Sequence, residues 1–327
     1  MYILPYNKYG IGGRIMAKVF KNSNNELRSG WKLACIMALY LGITLVLQIV
    51  LGMVLGIIFM QGTSIENLNS SINNFIQHSS QGMFLAQVID MAGFLIALII
   101  MLKAVDKKGF RDIGFTGIGS NFKDFGAGLL FGAVSFTAIF IVLYATKNIS
   151  LQNTLGSPKF SSYTFWGIGL FIIVGFKEEL LSRGYSITAL NQMKRPWLSV
   201  LLSSLMFSAL HLLNPNVKAL GLINIVFVGI LFGYMFVKTN NIWMPIGYHI
   251  TWNYFQGNVF GFPVSGNEAH GIYNINVLKD NILTGGAFGP EAGILTTIVI
   301  AIGILIVWSM PKREVSRNKG YKMYENI

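Results

Sequence analysis

An apolar stretch from Phe165 to Val174 runs almost directly into Glu178-Glu179, with Arg183 four residues after the second glutamate. Ionisable side chains in a hydrophobic span cost about 2.5–3.5 kcal/mol each on insertion scales, so they face a protein interior, pair, or do chemistry. Neighbouring residues of a helix point about 100° apart, whereas residues at i and i+4 share a face. The spacing therefore predicts a buried Glu179–Arg183 ion pair. Glu178, left without that partner, is then free to point into a cavity and act as a general base. The alternatives are that Glu178 pairs with Lys177 or snorkels to the membrane interface.

Two of the four histidines fall in other apolar segments with a companion at i, i+4: Phe207 with His211, and His249 with Asn253. A single histidine in a membrane helix is commonly an interhelical hydrogen-bond partner worth about 0.6–2 kcal/mol. Two of them, beside Asn253 and Glu178, point instead to a shared polar site. Asp90 is a further intramembrane acid, read as a structural partner for Lys177 or Arg183. His78 and His270 read as ordinary loop residues.

The elements that must position these groups are membrane helices. The 327 residues are 53% hydrophobic and 12% charged, with mean hydropathy +0.56, against about 25% charged for a soluble domain. Eight apolar segments approach the ~20 residues that a helical span needs: Trp31–Met60, Met83–Leu102, Phe125–Ala145, Phe165–Leu190, Trp197–Leu213, Ala219–Val237, Ile242–Val259 and Glu291–Trp308. The expected fold is all-α, a polytopic bundle of about eight transmembrane helices. Gly126, Gly128 and Gly132 are spaced for close helix contact.

Nineteen of the 25 basic residues fall on one side of an eight-span arrangement, with Lys147, Lys159, Lys218 and Lys279 on the other. The positive-inside rule then puts both termini in the cytoplasm of a multi-pass cell-membrane protein. The net charge of +12 is spread along span flanks, which suits anionic lipid as a partner and not nucleic acid. Cys35 is the only cysteine, so neither a disulfide framework nor a cysteine metal cluster is expected. The first 30 residues show no cleavable signal peptide. Residues 11–20 could form a short basic interfacial helix.

Residues 1–30 thus read as a basic cytoplasmic arm, 31–150 as three scaffold helices, 151–310 as the catalytic membrane domain and 311–327 as a basic cytoplasmic tail. The stretches 61–82 and 260–290, rich in Asn, Ser and Gly, are expected to be loops of turns rather than packed elements.

Glu178-Glu179-x-x-x-Arg183, Phe207-x-x-x-His211 and His249-x-x-x-Asn253, in that order on successive spans, resemble the three signature motifs of the CPBP family of intramembrane proteases. That family includes the type II CAAX prenyl endopeptidases, the bacterial Abi proteins and the lysostaphin resistance protein A-like proteins. The resemblance covers about residues 165–257. It implies peptide-bond hydrolysis in the membrane, with Glu178 and His211 activating water and His249 and Asn253 stabilising the oxyanion. Glu179, Arg183 and Phe207 match supporting positions.

The substrate would be a membrane-associated protein or peptide, and relatives are linked to bacteriocin maturation, self-immunity or envelope processing. No cofactor is required in this reading. The alternative is a divalent metal such as zinc on Glu178, His211 and His249, although the helical H-E-x-x-H signature is absent. Two other functions compete: a proton-coupled transporter, since intramembrane acids and histidines also form proton relays, and a non-catalytic scaffold of the same fold.

Overall fold

In the computed structural model the described residues are 19–62 and 64–311; residues 11–18 of the expected interfacial helix, residues 1–10 of the N-terminal arm and the tail beyond residue 311 lie outside them. The described chain is a helical bundle. Its elements are α1 (Ser29–Phe59), α2 (Ile65–His78), α3 (Ser80–Ile100), α4 (Ile118–Ala145), α5 (Ser162–Glu179), α6 (Pro196–Ala209), α7 (Ala219–Thr239), α8 (Trp243–Tyr254) and α9 (Ile294–Ser309). Eight of these nine fall on the eight apolar segments. Residues 29–59, 80–106, 110–145 and 219–239 are long and apolar enough to cross a membrane. Many large apolar side chains of α1 stand outward, Leu41, Met53 and Ile57 more than 60% exposed, as a lipid-facing surface requires.

Two expectations are corrected. Residues 61–82 are not only turns: α2 fills most of them. Its apolar residues Leu68, Ile72, Phe75 and Ile76 recur at helical spacing, which makes one face of an otherwise polar helix. The loop 260–290 also contributes a strand, β2 (Ile275–Val277), which pairs antiparallel with β1 (Ile149–Leu151). Serine, asparagine and glycine are frequent in both stretches and mask the short periodic runs inside them.

Cross-links sort the connections into two ends of the bundle. At the first end Lys32 Nζ meets Asp106 Oδ1 at 2.5 Å, Trp243 Nε1 donates to Thr116 O at 2.8 Å, and Lys238 Nζ donates to Met310 O at 2.9 Å. At the second end lie β1 and β2, the bond from Tyr163 to the His78 carbonyl, and those from Asn214 to Ser265 and Asn224 to Glu291.

Helix α8 is seated by glycines. A Cβ at Gly128 or Gly132 of α4 would run into the α8 backbone at Met244–Tyr248 and Tyr248–Trp252, whereas one at Gly126 would meet nothing within 4 Å. Close backbone approach therefore involves two of the three expected glycines, one helical turn apart.

Candidate active site

The glutamate pair ends the α-helical part of α5. From Leu180 to Ile187 the chain winds as a π-helix, and a last α turn follows at Thr188–Leu190. Such widened turns occur frequently at functional sites. Here serines bind carbonyls of the widened segment: Ser203 Oγ donates to Ser182 O at 2.6 Å and Ser186 Oγ to Leu181 O at 2.7 Å. A second π segment, Phe255–Val259, begins two residues after Asn253. Two of the three motif-bearing segments thus change pitch at the motif: just after Glu178-Glu179, with Arg183 inside the widened turn, and just after Asn253.

Arg183 Nη1 lies 3.0 Å from Glu179 Oε1, and both side chains are fully buried. This is the i, i+4 pair that the spacing predicts. The same oxygen also receives His249 Nδ1 at 2.8 Å. An ionised carboxylate only accepts, so Nδ1 carries the proton and Nε2 is the nitrogen left for other contacts. That Nε2 lies 3.7 Å from Glu178 Oε2. Glu179 therefore does more than pair with Arg183: it also fixes the imidazole that faces Glu178. This contact joins the first motif to the third across 70 residues, and no local pattern announces it.

Phe207 connects the second motif to the same cluster. The Arg183 guanidinium sits 4.4 Å from the Phe207 ring centre and 5.1 Å from that of Phe232, a pair of cation–π contacts. Phe232 is a participant the sequence did not single out, being one aromatic residue among many in α7. Glu178 does not pair with Lys177. The lysine binds Asp90 instead, and Tyr40 donates to the other oxygen of Asp90 at 2.6 Å. The intramembrane aspartate is thus accounted for as a structural partner of Lys177.

His211 departs from its expected place. The fifth apolar segment is helical only to Ala209, 14 residues or about 21 Å, and His211 stands in the turn that follows. Its Nδ1 donates to Phe207 O at 2.8 Å, since a carbonyl can only accept, leaving Nε2 unprotonated in the neutral ring. The turn is held by Asn214 Nδ2, which donates to Ser265 O at 3.0 Å; Ser265 in turn donates to Glu291 Oε2 from its amide at 2.5 Å and its hydroxyl at 2.9 Å.

Glu178, His211, His249 and Asn253 all line one cavity of about 1010 Å³. Glu291, outside every motif, lines it too. Among the described residues, however, no three His, Cys, Asp or Glu side chains come together as a metal site requires. As they stand, Glu178, His211 and His249 do not fit a zinc ion.

A family model described as type II CAAX prenyl endopeptidase Rce1-like matches residues 160–255. The match spans α5 to the second π segment and contains all three motifs, in agreement with the CPBP resemblance. No curated protein matches the chain. No solved structure matches it either.

Proposed function

We propose, from that family match and the geometry around Glu178, that the protein is an intramembrane endopeptidase that hydrolyses a peptide bond of a membrane-associated protein or peptide. The observation that carries this reading is the chain Arg183–Glu179–His249–Glu178. One buried carboxylate fixes the imidazole, so that a second carboxylate and the free Nε2 face each other in a cavity large enough for a peptide.

In this mechanism Glu178 takes a proton from a water molecule, and His211 holds the same water through its unprotonated Nε2. The water oxygen attacks the scissile carbonyl. His249, with a proton on Nε2, and the Asn253 carboxamide then donate to the developing oxyanion. The proton held by Glu178 passes to the leaving amine as the carbon–nitrogen bond breaks, which returns the carboxylate. Arg183 and Phe207 keep Glu179 and the His211 turn in register but touch no reacting atom.

Both termini are cytoplasmic in this reading, and the basic flanks of the spans meet anionic lipid. The test is cleavage of a peptide library by the purified protein in detergent, with wild type compared against Glu178→Ala and His249→Ala. Equal cleavage by all three would overturn the assignment.

A further inference from the structure

The cavity reaches the loops at one end of the bundle and stops short of those at the other. Its wall includes Gln77 and His78 at the end of α2, Asn214 and Asn216 in the turn after α6, and Asn267 and Glu268 in the long loop. All of these belong to the second end. On the other side of Glu178, Leu180, Leu181, Tyr185, Ile187, Ile242 and Ile246 pack together, each 4% exposed or less. The buried pair Lys32–Asp106, with Tyr185 Oη donating to Asp106 at 3.0 Å, lies beyond this plug. Among the described residues, no lining residue of the cavity comes from the connections at the first end.

The charge distribution gives these ends a side. Among the described residues the first end carries eleven lysines and arginines, and the second carries Lys147, Lys159, Lys218 and Lys279. We propose that the site takes its substrate from the non-cytoplasmic side, as an extended polypeptide segment threaded inward between the α2 end and the 264–269 turn. This rests on the endopeptidase reading for its chemistry, but the direction of access does not.

The depth sets the form of the substrate. Tyr163 bonds to His78 at the rim, and Glu178 lies fifteen residues farther along the same helix, about 22 Å at 1.5 Å per residue. An extended chain covers that in about seven residues at ~3.3 Å each. A folded domain cannot enter, whereas an exported chain end or an unwound loop can.

The test uses the full chain in a Cys35→Ser background, which removes the only native thiol. Single cysteines are introduced as Val174→Cys, one helical turn above Glu178, and as Gln87→Cys on another part of the cavity wall. Glu268→Cys marks the rim and Lys194→Cys the first end. A membrane-impermeant thiol reagent is added to intact cells and, separately, to inverted vesicles.

Labelling of the Val174, Gln87 and Glu268 variants in intact cells, with the Lys194 variant labelled only in inverted vesicles, is the expected result. Labelling of both wall variants only in inverted vesicles, or of neither until detergent is added, overturns the proposal. So does labelling of the Lys194 variant in intact cells. None of these readouts needs catalysis, so loss of the endopeptidase reading would appear separately, as absent cleavage by wild type in detergent.

Discussion

Glu179 Oε1 accepts from His249 Nδ1 at 2.8 Å and from Arg183 Nη1 at 3.0 Å, so one buried oxygen ties α5 to α8 at the level of the site. Everything the cavity can do with His249 depends on that oxygen, because it decides which ring nitrogen faces Glu178. The supporting carboxylate and the chemical carboxylate are adjacent in sequence. Their different surroundings, one sealed and one open to the cavity, give them different work.

Removing the supporting charge should cost both stability and activity. In Glu179→Gln the amide can still meet His249, but Arg183 loses its counter-charge in a fully buried position. Breaking a buried pair by deleting one partner costs about 3–5 kcal/mol. The expected result is a clear fall in melting temperature in detergent together with loss of cleavage.

Glu178→Gln should separate the two effects. Glu178 faces the cavity, its nearest ion-pair partner is His249 at 3.7 Å, and glutamine has nearly the same shape. Cleavage should fall by about 10²–10⁴, the usual worth of a general base, with the melting temperature within a degree or two of wild type. A variant that melts early would mean that Glu178 holds the fold instead.

Much of this was legible in the sequence, for identifiable reasons. Apolar segments of near-membrane length mark eight helices, and the i, i+4 rule alone finds Glu179–Arg183. The rest depends on information that local spacing does not carry. The Glu179–His249 contact joins residues on different helices. Phe232 is apolar in an apolar helix, and its use under Arg183 follows from packing alone. The early end of α6 at Ala209 left its signal in Asn214-Pro215, since the residue before a proline avoids helical geometry, but that signal does not fix the last helical residue. α2 was hidden by composition, although its apolar residues keep helical spacing.

The α4 glycines offer a test of how α8 is held. Gly128→Val and Gly132→Val would push a side chain into the α8 backbone that carries His249 and Asn253, whereas Gly126→Val meets open space. The first two should lower the melting temperature and cleavage together, and the third should change neither. Equal damage from all three would point to helix propensity and not to close packing.

Phe207→Leu should weaken the site without emptying it. Leucine fills most of the volume but removes the ring beneath Arg183, a contact worth about 0.5–2 kcal/mol, and the edge contact with His211 at 4.9 Å. A moderate drop in melting temperature is expected, with a fall in kcat greater than any change in KM, because Phe207 positions Arg183 and His211 and is assigned no part in binding the substrate. A rise in KM at unchanged kcat would place Phe207 in substrate binding instead.

Chelation tests the chemistry most directly. Metal-bound histidines generally donate their second nitrogen to a carboxylate or carbonyl, and His249 and His211 both do so here. That feature alone is compatible with zinc. What opposes it is the arrangement of the ligands, since no three of these side chains gather around one point among the described residues, whereas a zinc site holds its ligands at about 2.0–2.3 Å. Cleavage by the purified protein should therefore persist in phenanthroline. If activity were lost and then restored by added zinc, Glu178, His211 and His249 would have to close around the ion from the positions described above.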